Sequence, residues 1–381
     1  MRSIAKSKKA TGRHLEFLVP FFLSVILPAL CLSSVPVSSL AQSGGSFTIT
    51  KSVIGGGGGR VSGGIFSVDG TIGQSLAGTQ STGASYTLIS GFWGGGAATS
   101  NRRSPFDFDG DGKTDIGIFR PLGAAEWWIN RSGNGLTFAL QFGASTDRLV
   151  PGDYTGDNKA DIAFWRPSDG HWYVLRSEDF SFFAFPFGTN GDIPAPADYD
   201  ADGKTDAAVF RPSSSTWFIS QSSGAPTEIV QFGANGDQPV VGDYDGDGKA
   251  DIGIFRNAAG TAQWWIRRST AGILAIQFGN ATDRAVQGDY TGDGKADIAI
   301  WRPSDGNWLI VRSEDFSFFG FPFGTMGDVV APGDYDGDGK FDATVFRPAS
   351  ATWFIARSTA GTLIVQFGAN GDRPIPNAFV P

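Results

Sequence analysis

Cysteine and histidine are almost missing from this chain. One cysteine, Cys31, and two histidines, His14 and His171, occur in 381 residues. That excludes a disulfide framework and zinc sites built from Cys and His. A nucleophile–histidine–acid arrangement would have to rest on His171 alone. His171 occupies a turn position where other copies of a repeat carry Glu126, Thr216, Gln263, Asn307 and Thr352, which reads as a solvent-facing turn residue. Charge is also scarce, at 18%, and unbalanced, with 38 acidic against 30 basic residues and a formal −8. An acidic excess repels a phosphate backbone, so nucleic acid is not expected as a partner. Beyond the N-terminal segment no apolar run is long enough to span a bilayer.

The N-terminal segment has the anatomy of a signal peptide. Arg2, Lys6, Lys8, Lys9 and Arg13 form a basic region, and "FLVPFFLSVILPALCL" is the apolar stretch. Ser39 and Ala41 are small residues at the −3 and −1 positions of a cut after Ala41, giving a signal over residues 1–41. A retained anchor is the alternative, opposed by Pro20 and Pro28 and by the cleavage-like end. Leu30 is too large to precede a lipidated Cys31. Cleavage removes five basic residues and one acidic one, leaving a formal −12 and no cysteine. The expected location is secreted, extracellular or on the cell surface. Something other than disulfides must then staple the fold.

Glycine, at 54 residues, and tryptophan, at 11, are abundant. A hydrophobic content of 41% is too high for a disordered chain, and the turn residues suit an all-β protein. An acidic nonapeptide recurs at 107, 153, 198, 243, 289 and 334, in steps of 46, 45, 45, 46 and 45 residues. Copies one to three return 136 residues later as copies four to six, and "SEDFSFF" appears at both 177 and 313. A fixed period of this size marks a repeat architecture. Each unit reads as four short strands: one such as "DIGIFRP", a Trp-led segment such as "TWFIS", a third ending in "QFG" or "PFG", and a fourth running into the next "GDY". Four strands per unit of this length is the arithmetic of a β-propeller blade. The terminal "GDRPIPNAFVP" matches "TDRLVPGDY" without an acidic loop after it, so it is placed in the first blade, closing a ring of six. Seven blades would need the N-terminal segment to form one. Residues 46–94 read as a separate small β-rich unit, 95–104 as a linker and 105–381 as the propeller.

The nonapeptide carries the chemistry. Position 1 holds Asp107, Asp153, Asp198, Asp243, Asp289 and Asp334. Position 3 holds Asp109, Asp200, Asp245 and Asp336, with Thr155 and Thr291 in copies two and five. Position 5 holds Asp111, Asp157, Asp202, Asp247, Asp293 and Asp338, and position 9 holds Asp115, Asp161, Asp206, Asp251, Asp297 and Asp342. Position 7 is Lys113, Lys159, Lys204, Lys249, Lys295 and Lys340, whose backbone carbonyl is a further candidate ligand and whose side chain is expected to point to water. Carboxylates at alternate positions on a tight loop converge, and a position-6 glycine permits the positive φ the turn needs. Without a cation, like charges would repel and raise each other's pKa. Ca²⁺ accepts six to eight flexible oxygen ligands and suits the set better than Mg²⁺. An EF-hand is excluded: it needs Glu at position 12, where this chain has Ile118, Phe164, Val209, Ile254, Ile300 and Val345. Up to six Ca²⁺ are expected, the sites at 153–161 and 289–297 weaker. A metal-free turn rich in Asp and Gly is the plainer reading of any single copy. Six copies in step weigh against it.

"GDYDGDGKADIGIFR" resembles the FG-GAP or VCBS-type repeat of integrin α-subunit propellers and many secreted bacterial proteins, and the resemblance covers residues 105–381. It implies Ca²⁺ at the matched aspartates and propeller faces that bind proteins or sugars. That family commonly has seven blades, one more than counted here.

Two further sets of residues repeat once per blade. Trp127, Trp172, Trp217, Trp264, Trp308 and Trp353 could stack on sugars, but a ring at every strand position more often fills core. Arg120, Arg166, Arg211, Arg256, Arg302 and Arg347 either pair with the acidic loops or ring one mouth of the channel. The Phe-rich runs at 177–187 and 313–323 fall in opposite blades and read as extra core or a paired recognition site. No catalytic constellation stands out. The expected function is therefore recognition or adhesion towards an extracellular protein or glycan, by a monomer. A carbohydrate-active enzyme would need a carboxylate pair from Glu126, Asp169, Glu178, Asp179, Glu314 and Asp315. A structural envelope protein without a discrete ligand is the third reading.

Overall fold

The computed structural model describes residues 104–380 in full, together with the backbone of four strands between residues 58 and 90. The signal-peptide reading lies outside the described residues. The chain divides into two compact units, residues 1–96 and 97–381. In the first, Gly58–Gly63 pairs with Phe66–Thr71 and Thr79–Gly83 pairs with Tyr86–Ser90, each pair antiparallel. Two of these four strands lie partly in stretches that read as Gly- and Ser-rich turns. The pairing partner two residues away imposes extension that local propensity does not. Residues 46–57 of the β-rich unit read from the sequence lie outside the described residues.

The second unit is a β-propeller of six four-stranded antiparallel blades. Blade two shows the pattern: an inner strand Arg148–Leu149, then Ile162–Arg166, then His171–Leu175, then an outer strand Phe182–Pro186. The inner strand is two residues long in every blade, and in blades two to six the acidic loop joins it to the second strand. The second strand is buried at four successive positions in all six blades, because neighbouring blades cover both its faces. Its second residue is Gly or Ala in five blades and Thr344 in the sixth; at Gly253 a Cβ would lie 2.2 Å from the carbonyl oxygen of Val240, just past the inner strand.

The third strand alternates, with its tryptophan buried completely in each blade. Each of these indoles donates to a backbone carbonyl at the end of the outer strand, as Trp217 Nε1 does to Phe232 at 3.1 Å and Trp353 Nε1 to Phe367 at 3.1 Å. The tryptophans are core, held by apolar burial and by a satisfied N–H. The Phe-rich runs divide: Phe183 and Phe185 pack into the core between blades, while Phe182 and Phe318 are largely exposed.

Ring closure is carried by the chain's last strand. Arg373–Pro374 pairs antiparallel with Phe119 and Ile118, supplying the inner strand of the first blade. The same junction carries an ion pair, Arg120 Nε to Asp372 Oδ1 at 2.8 Å and Arg120 Nη2 to Asp372 Oδ2 at 2.9 Å. Only the closing strand is joined to its blade without a covalent connection. Asp372→Ala is therefore expected to cost about 2–3 kcal/mol through the lost charged hydrogen bonds, and to release residues 373–380 to limited proteolysis. Asp237→Ala breaks the equivalent Arg256 pair but leaves that segment protected. Equal protection of the segment in both variants would contradict this account of closure.

Candidate metal centres

Each acidic loop is organised by backbone amides before any ion is considered. The position-1 carboxylate caps its own turn: Asp107 Oδ1 accepts from Gly110 N at 2.7 Å and Oδ2 from Gly112 N at 2.8 Å. The equivalent bonds recur at Asp198, Asp243 and Asp334. Position 6 has positive φ in every copy, including Asn158 at 68°. Position 4 does as well, which the sequence reading did not anticipate; Ala201 bears the strain of φ 64° there.

The position-9 carboxylate is the most buried and links three parts of a blade. Asp251 Oδ2 accepts from Tyr244 N at 2.8 Å, and Oδ1 accepts from Ser269 N at 2.7 Å. Ser269 sits in the turn after the third strand, so the loop is tied to the far hairpin. Ser132, Ser177, Ser222, Ser313 and Ser358 do the same in the other blades. Burial pushes these aspartates up, to about 7 at Asp115 and Asp342 and to about 6 at Asp161, Asp206, Asp251 and Asp297, against the pull of the amides. Position 1 is raised in four loops, first by burial and then by its like-charged neighbours.

Positions 1, 3 and 9 converge in four of the loops. Asp107, Asp109 and Asp115 each bring an oxygen within 4.8 Å of the others, and so do Asp198, Asp200 and Asp206; Asp243, Asp245 and Asp251; and Asp334, Asp336 and Asp342. These four clusters could hold a metal ion. The loops with Thr155 and Thr291 lack the third carboxylate and are absent from that set among the described residues. Position 3 supplies the decisive detail. Asp109 Oδ1, Asp200 Oδ2, Asp245 Oδ1 and Asp336 Oδ1 are buried without any hydrogen-bond partner, and so are Thr155 Oγ1 and Thr291 Oγ1. A buried oxygen left unpartnered is costly, and the same atom is left so in all six loops. A cation seated among the carboxylates would satisfy it.

Position 5 stands apart from the three. Asp157 Oδ2 accepts from Ser177 Oγ at 2.6 Å and Asp157 Oδ1 from Lys159 N at 2.9 Å, and the other copies follow. The position-7 lysines do not simply project into water. The Lys159 stem lies over Gly110 of the preceding loop, and Lys204, Lys295, Lys340 and Lys113 lie over Gly156, Gly246, Gly292 and Gly337.

The loops also join one another. The position-8 amide of each donates to the position-1 carbonyl of the loop before it: Ala160 to Asp107, Thr205 to Asp153, Ala250 to Asp198, Ala296 to Asp243, Phe341 to Asp289 and Thr114 to Asp334, all at 2.6–2.7 Å. The last of these closes the circle, so the acidic loops form a continuous hydrogen-bonded annulus on one face of the propeller.

The repeating arginines belong to the other face, at the far end of the second strand. Each forms a two-pronged pair with an aspartate that the sequence reading missed: Arg166 with Asp147, Arg211 with Asp192, Arg256 with Asp237, Arg302 with Asp283, Arg347 with Asp328 and Arg120 with Asp372. They therefore pair with these aspartates and not with the acidic loops. The missed aspartates share the 45-residue spacing, in "TDR", "GDI", "GDQ" and their relatives. His171, read from the sequence as a turn residue, instead opens the third strand of blade two; it is partly exposed, with Nδ1 2.9 Å from the Asp169 carbonyl oxygen.

A family model described as FG-GAP-like repeat matches residues 107–164, 153–209 and 198–254, in three overlapping tandem copies. Residues 107–254 are FG-GAP-like repeats. The matched copies fall on the loops with the geometry above, and the propeller that contains them has six blades. No curated protein sequence matches the chain. Solved structures that align with it include virginiamycin B lyase from Staphylococcus aureus, 8% identical, with 67% of this chain and 86% of that chain covered at a TM-score of 0.42. A putative 6-phosphogluconolactonase from Bacteroides fragilis is 13% identical, with 68% and 96% covered at a TM-score of 0.38. Similarity at this level carries no inference about the chemistry of this propeller.

Proposed function

We propose that this propeller is a calcium-stapled recognition module, exported from the cell, that binds a protein or glycan. The orphaned position-3 oxygen in every loop carries the calcium part of this reading, because hard oxygen ligands around a flexible cage suit Ca²⁺. Four sites are full, and the two with threonine are weaker. Extracellular Ca²⁺ sites bind at roughly 10⁻⁴ to 10⁻³ M, which fits a staple that fills outside the cell and takes the place of disulfides. Among the described residues no helix is long and apolar enough to cross a membrane.

The recognition part is supported by where the remaining carboxylates lie. Glu126 accepts from Trp128 Nε1 at 3.0 Å and faces Arg120, and Asp169 accepts from Tyr173 Oη at 3.1 Å. Asp179 and Asp315 cap the turns of Ser181 and Ser317 in separate blades. These four each have a structural partner, which favours binding over acid–base chemistry at them and leaves Glu178 and Glu314 to the enzyme reading. A carbohydrate-active enzyme is the second reading, and it predicts polysaccharide cleavage lost on substituting one of them. For the first reading, a glycan array and a panel of extracellular proteins are probed with the calcium-loaded chain and again in EDTA. Calcium-dependent binding is expected; binding to neither set would overturn the recognition reading.

A further inference from the structure

The axial channel holds a feature that the repeat does not explain. The inner strands of blades one to four, Arg373–Pro374, Arg148–Leu149, Ile193–Pro194 and Gln238–Pro239, line a cavity of about 450 Å³. Its opposite wall is the segment 377–380, fixed by Asn377 Nδ2 donating to the Val330 carbonyl at 2.8 Å and by Phe379 stacked on Phe106 at 5.6 Å. The cavity is thus lopsided, closed on one side by the chain and open between the other blades. Its volume falls in the range of small-ligand sites.

The polar groups in it are unusual for this protein. Arg148 and Arg373 belong to adjacent blades and are both exposed. The aspartates nearest them in sequence, Asp147 and Asp372, are already taken by Arg166 and Arg120. No ion pair or hydrogen bond engages either guanidinium among the described residues. Two free arginines beside one cavity, in a chain with a formal −8, form a local positive site. Gln287 adds a second signal: its Oε1 is buried without a partner, and its Nε2 reaches only the Val241 carbonyl at 3.5 Å. Gln287 lies three residues beyond Arg284, the residue that occupies in its blade the place of Arg148, so it is about 10 Å deeper along the channel.

A ligand that satisfies both ends has an anionic group for the guanidinium forks and a hydroxyl for the buried carbonyl oxygen. We infer that the channel binds the acidic end of an oligosaccharide, a uronate carboxylate held by Arg148 and Arg373 and a sugar hydroxyl by Gln287. This rests on the recognition reading above and names its ligand class and site.

The test uses the calcium-loaded full chain in titration calorimetry with cellobiouronic acid, a glucuronate disaccharide, and with neutral cellobiose. Cellobiouronic acid is expected to bind about tenfold or more tightly than cellobiose, as charge-assisted hydrogen bonds allow. Arg148→Ala and Arg373→Ala should each remove that preference without changing the melting temperature. Gln287→Leu should weaken both sugars alike. No binding of cellobiouronic acid at millimolar concentration, equal binding of the two sugars, or affinity unmoved by either arginine substitution would overturn the assignment. Array ligands that bind equally well to Arg148→Ala and Arg373→Ala would leave the recognition reading standing and overturn the channel site alone.

Discussion

Chelating divalent cations from the propeller is expected to lower its melting temperature by roughly 10 °C. An ion bound only by the folded state, at a tenfold excess over its dissociation constant (millimolar calcium against a site of about 10⁻⁴ M), contributes about 1.4 kcal/mol. The four three-carboxylate clusters then supply about 6 kcal/mol on that basis. For a domain of this length, each kcal/mol moves the melting temperature by about 2 °C. The pH dependence should change sign with calcium. The position-9 aspartates titrate at about 6 to 7 in the folded, metal-free protein and near ~4 when unfolded. Folding raises their pKa, so the folded state holds more protons between those values. The stability they contribute is fully present below pH ~4 and is lost as the pH rises through 6 to 7. With calcium, protons compete with the ion for the same oxygens, and stability is lost as the pH falls. Melting curves from pH 5 to 8, in EDTA and in calcium, should therefore diverge as the pH rises. Parallel curves would show that no ion occupies these clusters.

Asp251→Ala should be among the most damaging single substitutions, costing about 3–5 kcal/mol. It removes one of three converging carboxylates and leaves the buried Tyr244 amide and the part-buried Ser269 amide without their acceptor. Thr155→Ala removes one hydroxyl that has no partner in the protein, in a loop without the third carboxylate, and should cost less than about 1 kcal/mol. Melts of both variants in calcium give the ranking. In EDTA the Asp251→Ala deficit should shrink towards the cost of its two amides. Equal deficits for the two variants in calcium would overturn the ranking of the sites.

What the sequence made legible was whatever is repeated and local. The spacing of the acidic loops gave the blade count, and the unmatched "GDRPIP" gave the closure, because one blade lacked an inner strand that only Arg373–Pro374 could supply. The tryptophans were read as core and are buried. The positive φ at position 6 followed from glycine's freedom and extends to Asn158.

What escaped was whatever is made between distant segments. Asp192 looks like an ordinary turn residue until the blade folds and places it 2.8 Å from Arg211, and Asp372 meets Arg120 only when the ring closes. The hairpin serines were visible in "RS" and "QS", yet nothing local says that Ser269 reaches back to Asp247 and Asp251. The annulus of loop-to-loop hydrogen bonds uses backbone atoms, which leave no trace in residue identity. The channel site is still less legible, since Arg148 and Arg373 share their position with Arg284 while the other blades carry Ile193, Gln238 and Val329 there, and Gln287 has no counterpart.

The central claim is that divalent ions occupy the acidic loops and hold the ring together. Metal analysis of the purified full chain, equilibrated with millimolar calcium and freed of unbound ion, tests it most directly. The account predicts four calcium ions per chain, rising towards six as the calcium concentration increases and the loops with Thr155 and Thr291 fill. A chain that carries no calcium under these conditions would contradict it.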